Sequence, residues 1–269
     1  MHVHFAFYIL AQRSEKGAGG HRRQAGLPAI PVECRQGATC IPPDNHPPMR
    51  RGDHRMKVMA FNGSPRKKWN TATLLGKALE GAASKGAMTE MIHLYDLDYK
   101  GCISCFACKM KNGESYAKCA LKDGLTPVLE KAREADAIIL GSPIYFARMT
   151  GEIRSFMERL LFPYLAYSDP WRSLFQRKIR TGIIYTMNIT EKEMDALRMG
   201  YSLDVNETVL KLIFGDSESL YCYDTYQFED YSKVVADRID VAAKKQRRRD
   251  IFPKDCEKAY ELGVRLADA

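Results

Sequence analysis

The stretch MKVMAFNGSPRKKWNTAT, residues 56–73, decides the fold of this chain. A short apolar run at 58–61 stops at the small and polar residues 62–65, and an amphipathic helix follows from Thr71. A strand, a small-residue loop and a helix N-terminus together favour phosphate binding, because the first N–H groups of the helix lack partners within it and the helix dipole is positive there. The alternative is an ordinary connection whose polar residues cap the helix.

The composition of this loop narrows the kind of phosphate. It lacks the Gly-Lys-Ser/Thr ending of a Walker A loop and the second and third glycines of a dinucleotide fingerprint. A terminal phosphate monoester remains as the expected ligand. Ser64, Thr71 and Thr73 offer hydroxyl donors for it, and Arg66 offers positive charge.

Strand and helix patterns alternate through the rest of the chain. Apolar runs predict further strands at 88–94, 137–140, 181–185 and 219–223. Helical patterns occupy 71–84, 125–135, a segment containing 153–161, most of 193–214, and two C-terminal helices split at Pro253. Apolar strands without alternation are typical of a parallel sheet that is covered on both faces. The order predicts an α/β fold, a flavodoxin-like doubly wound five-stranded parallel sheet with helices on both faces.

Residues 1–55 differ from the remainder. They hold six of the twelve prolines and five of the six histidines, and they show no sustained periodicity. We expect a disordered leader, or a translated segment upstream of a true start at Met56. Residues 56–269 would then form one domain.

Charge and hydropathy exclude some classes of protein. The net charge of +8 divides equally between residues 1–55 and the rest. The basic run 244–249 has no interleaved aromatic residues, so we interpret it as a solvated helix end and expect no nucleic-acid partner. No apolar run reaches about 18 residues, so we expect no membrane span. Clustered cysteines in an α/β chain favour redox or metal use and a cytoplasmic location.

A second loop, residues 141–151, follows the third predicted strand and reads GSPIYFARMTG. Loops are usually polar, whereas this one carries Ile144, Tyr145 and Phe146 behind a stiffening Pro143. Apolar and aromatic residues at the carboxyl end of such a strand favour packing against a flat ring. The alternative is that the aromatic side chains belong to the core or to a subunit interface.

The two loops together, GSPRKKWNT and then GSPIYFARMTGEIRSFMERL, resemble the flavodoxin-like NAD(P)H-dependent FMN reductases, and most closely their iron–sulfur flavoprotein branch. The resemblance extends from Met56 to the C-terminus. It implies non-covalent FMN and a homodimer or homotetramer with the flavin near a subunit interface. The FMN phosphate would lie over Ser64, Arg66, Asn70, Thr71 and Thr73. The isoalloxazine ring would lie against Pro143, Ile144, Tyr145 and Phe146.

Four clustered cysteines form a second candidate site. Cys102, Cys105 and Cys108 are spaced as C-x2-C-x2-C, and Cys119 follows after ten residues. Three thiolates at this spacing suit one face of a 4Fe-4S cluster. The same four residues also suit zinc, or they are metal-free thiols or a redox disulfide.

The resemblance implies an oxidoreductase in which hydride passes from NAD(P)H to the flavin. Electrons would then reach a quinone, a free flavin, a nitro compound or an iron–sulfur partner. Flavin chemistry needs little from side chains, so we name no catalytic acid or base. His93 lies in a strand pattern and is interpreted as structural. Two alternatives stay open, namely an electron carrier without nicotinamide turnover and a flavin-free protein with a structural zinc knuckle.

Overall fold

A computed structural model describes residues 55–268, so the expected leader lies outside the described residues except for Arg55. The strands in this part are β1 (Lys57–Asn62), β2 (Met88–His93), β3 (Ala137–Tyr145), β4 (Arg148–Met149), β5 (Leu165–Ala166), β6 (Arg172–Ser173), β7 (Ile179–Thr186) and β8 (Gly215–Cys222). The helices are α1 (Asn70–Ser84), α2 (Thr126–Glu134), α3 (Gly151–Leu161), α4 (Glu191–Ala196), α5 (Gly200–Phe214), α6 (Val241–Asp250) and α7 (Phe252–Ala267).

The central sheet has the strand order β2-β1-β3-β7-β8, and all of these pairings are parallel. Taking the parallel strands in chain order, this is the 2-1-3-4-5 order of flavodoxin-like folds, and it confirms the predicted fold class. The two-residue β4 adds an antiparallel partner to β3. A separate hairpin, β5–β6, was not expected from the sequence.

Alternate residues of each strand face opposite sides of the sheet, and each side packs against helices. Val58 and Ala60 of β1 pack in one core cluster with residues of α1 and α7. Phe61 faces the other side, where its ring stacks on Phe156 of α3 with centroids 4.4 Å apart. The period of two within a strand therefore produces the helix-covered sheet that the apolar strands predicted.

Two glycines allow α1 and α7 to touch through their backbones. A Cβ built on Gly81 would lie 2.0 Å from the Tyr260 carbonyl oxygen. A Cβ on Gly263 would lie 1.7 Å from the carbonyl oxygen of Ala78. Because neither distance is physically possible for a side chain, any larger residue would push the two helices apart.

Residues 193–214 are largely helical, as predicted, with a break between α4 and α5 where Arg198 takes a positive φ of 52°. The C-terminal helices separate at Ile251 rather than at Pro253. Proline lies in the first turn of α7, where its missing N–H is not needed by the helix, so it starts that helix instead of dividing two.

None of the helices within residues 55–268 has both the length and the apolar character that crossing a bilayer requires.

Candidate functional site

The loops after β1 and β3 meet at the carboxyl edge of the sheet. The Gly63 N–H donates to the Gly141 carbonyl at 2.8 Å, and the Thr150 hydroxyl donates to the Gly63 carbonyl at 2.7 Å. Ser142 Oγ accepts from the Thr150 N–H at 3.1 Å. A Cβ on Gly63 would lie 2.7 Å from Ile153 Cβ, so glycine lets this loop lie directly on α3. The two loops that were predicted to share a ligand thus form one continuous surface.

Hydroxyl groups converge beside the start of α1. Ser64 and Thr71 are buried, and Ser64 Oγ accepts from the Arg66 N–H at 3.2 Å, which leaves the serine proton for another acceptor. The Thr71 and Thr186 hydroxyl oxygens are 2.8 Å apart. One of this pair donates to the other, so one proton of the pair remains for a ligand. The loop after β1, the first turn of α1 and the end of β7 therefore all offer donors at this point.

The N-terminus of α1 is electrostatically suited to an anion. Trp69 occupies the cap position without a capping side-chain bond, and the first turn carries no acidic residue. The first N–H groups of the helix have no partner within it, and the dipole places positive potential there. This geometry favours phosphate binding over the alternative of a simply capped helix.

The other predicted phosphate residues already have partners. Arg66 Nη1 donates to the Gln227 carbonyl at 2.5 Å, and Asn70 Nδ2 donates to the Tyr226 carbonyl at 2.8 Å. The Thr73 hydroxyl donates to the Trp69 carbonyl of its own helix at 2.9 Å. A hydroxyl has one proton, so in this arrangement Thr73 has none left for a phosphate.

Sequence reasoning missed two elements that contact the loop after β1 and the start of α1, residues 63–70, which we call the phosphate loop. The segment after β8 supplies the Tyr226 and Gln227 carbonyls, and Tyr226 also accepts from Trp69 Nε1 at 3.0 Å. From α6, Arg248 Nη1 donates to Asn70 Oδ1 at 2.8 Å. These contacts join residues more than 150 positions apart, so no local pattern could have indicated them.

The basic run 244–249 is only partly the solvated helix end that the sequence favoured. Lys244 is buried, pairs with Asp224, and donates to Asn188 Oδ1 at 2.6 Å. Arg247 Nη2 lies 2.7 Å from Asp255 Oδ2. Buried charges need such partners, and these bonds fix α6 to the loop after β7 and to α7.

The aromatic segment is a hairpin rather than an open loop. β3 continues to Tyr145, which pairs with Arg148 of β4, and the turn residues Phe146 and Ala147 have φ values of 48° and 63°. Two positive φ values characterise the tight type I′ turn. The Ser202 hydroxyl of α5 lies 3.2 Å from the Ala147 carbonyl and 2.9 Å from the Met199 carbonyl, so its one proton is shared between the turn and its own helix. Four residues are predicted to lie against the isoalloxazine ring. Of these, Pro143 and Ile144 are half-buried, while Tyr145 and Phe146 are exposed.

His93, the last residue of β2, and Tyr95, two residues further on, also lie at the carboxyl edge of the sheet. Tyr95 keeps 41% of its surface exposed, and the partial desolvation of its phenol, together with nearby Tyr145 and Glu152, raises the pKa of that group. His93 Nδ1 is 2.9 Å from Asn62 Nδ2. Asn62 Oδ1 accepts from the Ser64 N–H at 3.1 Å, so the amide nitrogen faces the imidazole and Nδ1 is the acceptor. His93 therefore has a structural partner, as interpreted, but one that also bonds to the phosphate loop.

The four clustered cysteines line a single pocket between the loop after β2 and the end of α3. Cys108 is buried, Cys105 is exposed, and Cys102 and Cys119 are half-buried. Burial raises the pKa of the Cys108 thiol; Lys109 opposes this rise and the other three cysteines add to it. No three Cys, His, Asp or Glu side chains among residues 55–268 lie close enough together to hold a single metal ion.

The backbone of this cysteine loop is unusual. Ser104 and Phe106, on either side of Cys105, both have positive φ values, 57° and 56°. Such residues are uncommon outside glycine, and they concentrate at binding sites. Left-handed residues that alternate with ordinary ones turn successive N–H groups toward a common side, as at many iron–sulfur sites.

Comparison with known proteins places these features in context. Residues 56–183 match the model of the family described as NADPH-dependent FMN reductase. An iron–sulfur flavoprotein of Methanocaldococcus jannaschii is 38% identical over 127 residues, which cover 47% of this chain and 59% of that protein. One from Archaeoglobus fulgidus is 41% identical over 104 residues, which cover 39% of this chain and 48% of that protein. The chain thus spans about half the length of these relatives.

Solved structures share the fold at low sequence identity. An NAD(P)H:quinone oxidoreductase from Methanothermobacter marburgensis has a TM-score of 0.58 and 14% identity, covering 79% of this chain and 100% of that chain. An FMN-dependent NADH-azoreductase from Bacillus anthracis, in complex with FMN, has a TM-score of 0.54 and 12% identity, covering 79% and 100%. At these identities the likeness establishes the fold alone.

Proposed function

We propose, from the match of residues 56–183 to the model of the NADPH-dependent FMN reductase family, that this chain is an FMN-dependent oxidoreductase that accepts hydride from NADPH or NADH. The observation that carries the proposal is the joined surface of the two loops. It presents an uncapped helix start and buried hydroxyls beside exposed aromatic side chains. A phosphate with a flat ring attached fits such a surface, and FMN has both parts.

The chain's own residues would hold the phosphate at the start of α1. Ser64 and the Thr71–Thr186 pair would donate protons, together with the free N–H groups of the first helical turn. Asn70 and Arg66 would contribute less directly to phosphate binding, because both side chains already donate to carbonyl groups of the segment after β8. Arg248 adds a cation that orients the Asn70 amide and favours negative charge nearby.

The hairpin would hold the ring. Pro143 and Ile144 offer a half-buried apolar surface, and Tyr145 and Phe146, which follow them in the chain, are exposed. Bound FMN would supply the hydride acceptor and the route by which electrons leave. The residues around it would orient the ring, exclude water from one face and position the nicotinamide; no acid or base is needed among them.

The electron acceptor is proposed by class, as a quinone, a free flavin, a nitro compound or an iron–sulfur protein. Exposed Tyr145 and Phe146 also support a homodimer or homotetramer, since a second copy would cover apolar side chains that are otherwise in water. A cytoplasmic location is proposed because the six described cysteines are all free thiols, as expected in a reducing compartment.

The four cysteines would hold a 4Fe-4S cluster. Four thiols around one pocket are the donor set of such a cluster, and the alternating backbone of residues 104–106 supports it. Among the described residues, no three of these side chains are close enough to bind one ion together. A zinc site would need them closer, because zinc holds each sulfur at about 2.3 Å, so the arrangement disfavours zinc. Bound there, the cluster would pass single electrons between the flavin and a one-electron partner.

A visible spectrum tests the cofactor assignment. Protein purified anaerobically and incubated with FMN should retain a flavin spectrum after gel filtration, with additional broad absorption that dithionite bleaches. Loss of all flavin on the column would contradict the FMN site. A flavin spectrum without the broad absorption, after reconstitution with iron and sulfide, would contradict the cluster and leave the FMN site standing.

A further inference from the structure

Arg159 is a fully buried cation that lines the cysteine pocket, the pocket shared by Cys102, Cys105, Cys108 and Cys119. Its side chain has 0% exposure, although it lies on α3 within a pattern that otherwise buries apolar residues. Taking a guanidinium out of water is costly unless every donor finds a partner. The bonds that Arg159 makes should therefore show why the fold retains it.

The donors of Arg159 fasten both ends of the cysteine loop. Nη1 donates to the Lys100 carbonyl at 3.1 Å, just before Cys102, and Nη2 donates to the Leu121 carbonyl at 3.3 Å, just after Cys119. Nη1 also pairs with the Asp123 carboxylate. Burial is the largest single influence and opposes the charged form of Arg159, yet the interactions with Asp123 and Cys119 together outweigh it and raise the pKa of the guanidinium.

The Nε donor of Arg159 points to a sulfur. Arg159 Nε lies 3.3 Å from Cys119 Sγ, within reach of an N–H···S hydrogen bond. Cys119 is the cysteine that the chain separates from the other three by ten residues, 109–118. An intervening segment of that length does not by itself bring Cys119 close to the other three cysteines. Two contacts hold it there. The Ala117 N–H donates to the Cys108 carbonyl at 3.0 Å, and Arg159 Nε donates to Cys119 Sγ.

We propose that Arg159 is a positioning residue that seats Cys119 as the fourth sulfur of the pocket and raises the reduction potential of the iron–sulfur cluster held there. This inference rests on the proposed cluster. A donated hydrogen bond withdraws electron density from a ligand sulfur and stabilises the reduced, more negative state, and hydrogen bonds to sulfur are among the determinants of cluster potential. The buried location strengthens the effect, since water does not screen it.

The test is the Arg159→Lys variant, reconstituted anaerobically with iron and sulfide beside the wild type. Lysine keeps a buried cation for Asp123 but lacks the planar fork that reaches the sulfur. The midpoint potential, followed by EPR, should become more negative, and the affinity for iron should fall about 10- to 100-fold, as for other partners of metal ligands. Arg154→Lys, an exposed change on the same helix, should alter neither.

Asp123→Asn separates the sulfur bond from the ion pair. It removes the negative partner of Arg159 and leaves Nε beside Cys119, so its midpoint potential should not become more negative than that of the wild type. A negative shift in Asp123→Asn equal to that in Arg159→Lys would contradict the proposal, because loss of the ion pair alone would then explain both.

A measurement on the unaltered chain covers the case in which Arg159→Lys fails to fold. Wild-type protein labelled with 15N-arginine should show, in pulsed EPR of the reduced cluster, a 15N coupling that is absent in unlabelled protein. A loaded cluster without this coupling, or an unchanged potential in folded Arg159→Lys, would overturn the role of Arg159 alone. A wild-type chain that assembles no cluster would overturn the proposed cluster together with this inference.

Discussion

Thr71→Asp is expected to abolish FMN binding while the fold persists. Thr71 is buried in the first turn of α1, and its hydroxyl lies 2.8 Å from that of Thr186. A carboxylate there would face the FMN phosphate, and two like charges 4 Å apart repel by about 4 kcal/mol at an effective dielectric of 20. That energy corresponds to roughly a 1000-fold loss of affinity. Acidic residues favour a helix N-terminus, so the helix itself should tolerate the change.

Thr71→Ser serves as the matched control for this prediction. It keeps the hydroxyl and should bind FMN with nearly wild-type affinity in a fluorescence-quenching titration. Circular dichroism would establish that both variants are folded. If folded Thr71→Asp bound FMN as tightly as the wild type, the phosphate would have to lie elsewhere.

Cys105→Ser should eliminate the iron–sulfur cluster and leave FMN binding intact. Cys105 is the exposed member of the four, so serine should replace it at little cost to the fold. Iron–sulfur clusters require soft thiolate ligands, and a serine oxygen is a poor substitute. Iron and acid-labile sulfide after anaerobic reconstitution should fall to the background level, while flavin content should not change.

Cys256→Ser is the corresponding control, because Cys256 is a half-buried thiol of α7 that packs against the core away from the pocket. It should retain both cofactors. Full iron and sulfide in Cys105→Ser would show that the cluster does not use this cysteine. Loss of flavin in the same variant would show that the two sites depend on each other, contrary to the separate sites proposed.

The local parts of the fold and site followed from the sequence. The β1–loop–α1 unit lies where residues 56–84 predicted it, since strand, loop and helix signals there are contiguous. The parallel sheet followed from uninterrupted apolar strands, and solved structures share its fold. The resemblance to FMN reductases and iron–sulfur flavoproteins is confirmed by the family match and the curated relatives.

Other features could not be derived because their causes are not local. The turn at Phe146 and Ala147 contains none of the glycine, asparagine or aspartate residues that usually mark a type I′ turn, so β3 appeared to end early. Arg248 and Tyr226 reach the phosphate loop only through the folded topology. Arg159 would ordinarily be placed facing solvent, because charged residues are rarely buried without a partner that the sequence does not reveal.

The central claim is that FMN held by these loops accepts hydride from a nicotinamide, and anaerobic mixing of the FMN-loaded protein with NADPH or NADH tests it most directly. The account predicts that the oxidised flavin absorption disappears with at least one of the two and returns when an acceptor such as a quinone is added. Flavin that stays oxidised with both nicotinamides, yet is reduced by dithionite, would contradict the account and leave an electron carrier in its place.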